Sequence, residues 1–242
     1  MAIYVTGDVH GRAEYGASRF AFRSWSLGRT LTSDDVVIVA GDFGFVWDGS
    51  NAERYWLDWF ESKPWTTCFV DGNHENHRML AELPVREWNG GLVHEVRPRV
   101  LHLMRGEVYD ITETTVLTMG GATSHDRQHR REGRSWWPEE MPSEKETEHC
   151  RSSLNRVGWK VDYVVTHEAP AALAEGLCRE RGRRGIGATG CNDSWASSTG
   201  GSATEPGSSA TTTTTSGVTT GIALSTEISC RSKMLRPVLG TF

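Results

Sequence analysis

The chain has 242 residues, with 31 acidic against 26 basic side chains and a net charge of -5. That length suits one domain with a sizeable core, and the acidic balance argues against general affinity for nucleic acid or membranes. No apolar run approaches the roughly 18 residues of a membrane span, and no charged-then-apolar leader opens the chain. The five cysteines form no CxxC pair, so neither a disulfide framework nor a zinc knuckle is indicated, and a reducing cytoplasm is the expected location.

In chain order, Ile3 to Thr6 reads as a buried strand with Gly7 to Gly11 as its exit loop. Residues 13 to 28 read as a helix that Gly16 weakens. Val36-Val37-Ile38-Val39-Ala40 is a β-branched apolar run and reads as a strand. Ser50 is placed to cap a helix carrying Tyr55, Trp56, Trp59 and Phe60 on neighbouring turns and ended by Pro64. Cys68-Phe69-Val70 is a further strand. This alternation argues for an α/β layered fold. From about Leu92, Val100 to Met104, Glu107 to Ile111 and Thr115 to Met119 are closely spaced strand candidates that suggest an antiparallel meander. A polar loop from Gly120 follows, then a helix from Pro142-Ser143, then a last strand over Val161 to Val165.

Each strand-like run delivers polar residues at its end: Gly7-Asp8-Val9-His10-Gly11, Gly41-Asp42, Gly72-Asn73-His74-Glu75 and Thr166-His167. Hard oxygen donors mixed with imidazoles suit a divalent metal such as Mn, Fe or Zn, and strands that each supply a ligand from their carboxyl end build a site on a sheet rim. One Gly-Asp pair is usually only a turn; four motifs in this order are harder to dismiss. The order GDVHG, GDFG, GNHE, TH resembles the calcineurin-like metallophosphoesterases, over roughly residues 1 to 180.

The resemblance implies a four-layer α/β/β/α sandwich and a cofactor of two divalent metal ions. It implies that Asp8 and His10 bind the first metal, that Asp42 bridges, and that Asn73 and His167 bind the second. His74 would stabilise phosphoryl charge or protonate the leaving oxygen, and Glu75 would orient rather than ligate. The segment from Gly120 through Ser135-Trp136-Trp137-Pro138-Glu139-Glu140 is similar to a bacterial branch of the family. Arg127 and Arg131 there are candidate substrate-phosphate donors, against a plain reading as a solvated basic loop. Gly41-Asp42-Phe43-Gly44 lacks the Asp-Arg pair of the GDxxDRG form, which tells against a Ser/Thr protein phosphatase.

The family's last motif, GHxH, supplies one further ligand to each metal and is absent after His167. After about Gly185 the chain stops reading as globular: residues 197 to 221 are mostly Ser, Thr, Gly and Ala and are expected to be disordered. A shifted reading frame is the sharper reading of this tail. Threonine codons are ACN, so a frame displaced by one base reads each boundary entering Thr as NAC, which encodes His, Tyr, Asn or Asp. Over Pro206 to Gly217 the displaced frame admits WFFGHYHDDVW, which contains GHxH behind an apolar run. An authentic low-complexity tail over 185 to 242 is the alternative.

Two functions remain open at this level. The first is hydrolysis of phosphate mono- or diesters of a small-molecule or macromolecular substrate by metal-activated water, impaired here by loss of GHxH. The second is a catalytically inactive relic that binds a phosphorylated ligand. Nucleic acid as a partner is disfavoured by the acidic balance, although a local basic loop can override net charge.

Overall fold

The computed structural model describes residues 2–11, 17–21 and 23–168, and as backbone strands 211–215, 218–222 and 236–237. Two sheets form its centre. In order across the sheet, the first has strands 236–237, 3–6, 36–40, 66–70, 100–103, 91–97 and 85–88, and the second 211–215, 218–222, 163–166, 114–119 and 108–111. In the first, β1 (Ile3–Thr6), β2 (Val36–Ala40), β3 (Thr66–Val70) and β6 (Val100–Leu103) run parallel. β4 (Val85–Trp88) and β5 (Gly91–Arg97) complete one edge as an antiparallel hairpin. All five residues of β2 are buried, as a central parallel strand covered on both faces requires. In the second sheet β7 (Val108–Ile111) is antiparallel to β8 (Thr114–Met119), and β9 (Tyr163–Thr166) runs parallel to β8.

The buried clusters show the layering. Val5, Ile38, Val70 and Leu101 of the first sheet pack against Tyr109, Ile111, Val116 and Val165 of the second. The outer face of the first sheet, with Val37, Val39 and Phe69, is covered by Leu57 and Phe60 of helix α1 (Asn51–Glu61). The outer face of the second, with Leu117, Met119 and Val164, is covered by Cys150 and Leu154 of α3 (Glu144–Arg156). The architecture is therefore an α/β/β/α sandwich. Burying an aliphatic or aromatic side chain of this kind contributes about 1.5–3 kcal/mol. Ser50 caps α1, its side chain accepting from the Glu53 amide at 3.2 Å, and Ser143 with Glu146 forms a capping box on α3. A short helix, α2 (His77–Ala81), follows the third motif.

Two readings of the sequence are corrected. The three strands from Val100 do not form one meander: β6 joins the first sheet beside β3, and the chain crosses to the second sheet before β7. Within 13–28 the described residues form two 3-10 turns, Ala17–Phe20 and Ser26–Thr30, not an α-helix. Gly28 lies against the rings of Trp25 and Trp65, and that close approach fixes the second turn. Residues 12–16 and 22 lie outside the described set. In the tail, β10 (Thr211–Thr215) and β11 (Val218–Ile222) pair with each other, and β11 pairs with β9; threonine is β-branched and favours extended backbone. β12 (Arg236–Pro237) pairs with β1. The rest of the tail lies outside the described residues.

A buried polar network positions the loop after β3. Arg105, in the crossover between the sheets, donates to Asp71 Oδ2 from Nε at 2.9 Å and Nη2 at 2.5 Å. His102 Nε2 lies 3.2 Å from Asp71 Oδ1, and the Gly121 amide donates to the Asp71 carbonyl at 2.9 Å. Burial alone would raise the Asp71 carboxyl; Arg105, His102 and His77 outweigh it and hold the group well below the usual range. His77, 3.7 Å from Asp71, is pushed down to about 4 by burial, with Arg105 and His102 adding and Asp71 and Glu139 opposing. The unfolded chain protonates His77 near pH 6.5, whereas the folded protein resists until about 4. The stabilisation is therefore full above pH 6.5 and declines as pH falls toward 4, by roughly 3 kcal/mol for this residue. Urea unfolding at pH 7 and pH 4.5 should show that loss, and His77→Gln should flatten it. Equal pH dependence in the two proteins would show that His77 does not set it.

Candidate metal centre

Four strand ends converge on one point. Asp8 follows β1, Asp42 follows β2, Asn73 follows β3, and His167 directly follows β9 of the second sheet. Asp42 and His167 are fully buried and Asp8 nearly so, while His10 is 36% exposed. His10 Nε2 is 3.6 Å from Asp8 Oδ2, and its Nδ1 is 3.6 Å from Asp42 Oδ2. His167 Nδ1 is 3.9 Å from Asp8 Oδ1, and its Nε2 is 3.5 Å from Asp42 Oδ1. Among the described residues two sets of three donors lie within 4.8 Å of one another: Asp8, Asp42 and His167, and His10, Asp42 and His74. Asp42 belongs to both.

The local backbone is shaped for this convergence. His10 and Asp42 have φ of 54° and 50°, a region non-glycine residues rarely adopt, and such strain concentrates at functional sites. Gly41 has φ 92°, and a Cβ there would overlap the His167 ring. A Cβ on Gly72 would overlap the Asp42 carboxylate. Glycine at these positions is what lets loops from both sheets meet.

The donors fit a divalent cation. His167 Nδ1 lies 3.0 Å from the Ala40 carbonyl; donation of its N–H there leaves Nε2 with the free lone pair. That Nε2 and Asp42 Oδ2 are both buried without a hydrogen-bond partner. Buried polar atoms normally find a partner, and a cation satisfies both of these. Electrostatics agree. Burial would push the His167 imidazole down, but the Asp42 and Asp8 carboxylates outweigh it and raise it. Burial would raise the Asp8 carboxyl, but the His10 hydrogen bond and the His167 charge hold it low. The field of the site favours positive charge.

The supporting residues are equally defined. The Asn73 side-chain nitrogen donates to Ser124 Oγ at 3.2 Å, and Ser124 is fixed by Glu140 at 2.6 Å. This orients the amide and leaves its oxygen free of that bond. The His74 amide donates to Asp42 Oδ1 at 2.8 Å. Glu75 accepts from the amides of Phe43 at 2.7 Å and Gly44 at 3.1 Å, so it holds the loop that carries Asp42. Burial and the nearby Asp42 push its carboxyl up, with these amides opposing.

Of the loop arginines, it is Arg130 that reaches the centre. Its Nη2 is 2.7 Å from His74 Nε2, and Asp126 pairs with its Nε at 2.7 Å. Arginine only donates, so His74 Nε2 accepts and the imidazole is neutral with its proton on Nδ1. Burial lowers its affinity for a second proton, and Arg130 and His10 add to this. Arg127 instead stacks over the Trp136 ring at 4.0 Å. Arg131 is exposed, and its amide donates to Ser135 Oγ. Arg130, Asp71 and Ser124 are absent from the set read from sequence. Asp71, beside the Gly72-Asn73 motif, was signalled by its position; nothing in the sequence separates Arg130 from its neighbours.

Comparison with protein-family profiles matches residues 1–196 to the calcineurin-like phosphoesterases. The chain belongs to that family. Neither curated proteins nor solved structures gave a match. Membership in the calcineurin-like phosphoesterases implies metal-dependent hydrolysis of phosphate esters, and the clustered carboxylates and imidazoles are candidate groups for holding the metal. No helix among the described residues is long and apolar enough to cross a membrane.

Proposed function

We propose that this calcineurin-like phosphoesterase hydrolyses phosphate mono- or diesters with two divalent cations, manganese among the candidates, seated on either side of Asp42. The observation that carries the reading is the Asp42 carboxylate, common to both donor sets, with Oδ2 buried and unpartnered. The family resemblance assigns Asp8, His10 and Asp42 to one ion and Asp42, Asn73 and His167 to the other, whereas by proximity Asp8 groups with His167 and His10 with His74, each with Asp42. Bound divalent cations supply Lewis acidity at phosphoryl oxygens and lower the pKa of water. Arg130 in this reading, rather than Arg127 or Arg131, turns from His74 to the phosphoryl oxygens, where a guanidinium binds as a fork. His74, relieved of that contact, stands beside the leaving oxygen as the proton-handling group. The buried thiols Cys68 and Cys150 are unpaired, which suits a reducing cytoplasm.

The missing GHxH histidines would leave each ion one ligand short, so the polypeptide as written should be a weak enzyme. The displaced frame would place GHYH over residues 209–213. In the backbone register Thr211 and Thr212 stand level with Val165 and Thr166, two strands away through β11, next to the level of His167. This supports a displaced frame as the origin of the tail. The absence of GHxH also favours a second reading, a relic that binds phosphorylated ligands without turnover.

The test is hydrolysis of para-nitrophenyl phosphate and its bis-ester with Mn2+, before and after chelation. The enzyme reading expects slow, manganese-dependent release that chelator extinguishes. No release, from this chain or from one with GHxH restored, would overturn it and leave the binding relic.

A further inference from the structure

A cleft of about 370 Å3 opens beside the metal centre, lined by His10 and His74 and by the aromatic residues Phe45, Trp47 and Trp56. That volume falls within the range of about 300–1,000 Å3 typical of small-molecule sites. The aromatic wall is built rigidly. The Trp47 amide donates to Glu53 Oε2 at 2.7 Å, and the Trp47 carbonyl accepts from Asn76 at 2.7 Å. Its ring meets Trp137 edge-on, with centroids 5.1 Å apart. Phe45 is buried against Trp56, with centroids 6.1 Å apart. Trp47 and Trp56 stay only partly buried, so both keep surface for a ligand although the core beneath them is complete. Asp48 places an exposed carboxylate on the rim.

We propose that this cleft receives the leaving group of the substrate and selects an aromatic one, an aryl or nucleobase-bearing ester, by contact with Trp47 and Trp56. The inference rests on the phosphoesterase reading and deepens it. A phosphoryl group held at the His10–His74 end would set its ester substituent into the cleft that Trp47 and Trp56 also line. Flat rings gain from stacked or edge-on contact with indole beyond the area they bury, and a preorganised wall adds little ordering cost. The Asp48 carboxylate repels leaving groups that carry a second anionic charge and suits neutral or donor-bearing rings.

Phenylphosphonate and methylphosphonate, which cannot be hydrolysed as esters, separate this inference from turnover. Each is titrated calorimetrically into the full Mn2+-loaded chain. The expected result is phenylphosphonate about tenfold tighter than methylphosphonate. Trp47→Leu should erase most of that preference with methylphosphonate affinity unchanged, and Trp47→Phe should retain it. Unchanged methylphosphonate binding also reports that the variants are folded. Equal affinities for the two probes, or a preference that survives Trp47→Leu, would overturn the aromatic pocket and leave the phosphoesterase reading intact. Failure of both probes to bind would overturn both.

Discussion

Asp42→Asn should lower manganese-dependent ester hydrolysis by about a thousandfold or more, at least the loss seen on removing one oxyanion-hole donor, or about 4 kcal/mol of barrier. The substitution is chosen to leave the fold alone. Asparagine tolerates the φ of 50° at this position, and its side-chain oxygen can still accept the His74 amide now held by Oδ1. What it removes is the negative charge common to both donor sets. Both cations should therefore weaken together, unlike the outcome for Asn73→Ala, which on the proposed assignment should weaken one ion. A rate for Asp42→Asn within tenfold of the parent, measured at saturating Mn2+, would show that Asp42 does not join two ions.

The second large effect concerns the tail. Replacing Pro206 to Gly217 with the displaced-frame translation WFFGHYHDDVW would, on the proposed reading, restore one histidine to each ion. Altering groups that merely orient a ligand changes affinity or activity by about 10–100-fold; restoring two ligands should raise hydrolysis by at least about 100-fold. Manganese affinity should rise with it. Comparable rates for the two chains at equal metal occupancy would remove the argument that the tail is a displaced frame.

Much of the site was legible because its residues sit where strand-like runs stop. Asp8, His10, Asp42, Asn73, His74 and His167 each follow an apolar run, and the sheets bring those ends together. The two outer helices were legible for a similar reason, from Ser50 and Ser143 ahead of α1 and α3, while the four-layer order came from the family resemblance. What escaped depends on non-local choices. The run from Val100 to Leu103 looks like its neighbours in composition, yet it pairs with Thr67, Cys68 and Phe69, more than thirty residues away. The β4–β5 hairpin carries a turn signal, Asn89-Gly90 between the paired runs. Arg127, Arg130 and Arg131 share one polar loop. Only the stacking of Arg127 on Trp136 and the Arg130–His74 contact distinguish them. Asp71, buried under Arg105, is defined by a partner in another loop.

The most direct test of the central claim is manganese stoichiometry, measured by equilibrium dialysis and elemental analysis on the full chain and on Asp42→Asn. The account predicts two ions per chain at saturation, both displaced by chelator and both lost or strongly weakened in the variant. One ion, or binding indifferent to Asp42, would contradict a paired centre built around that carboxylate.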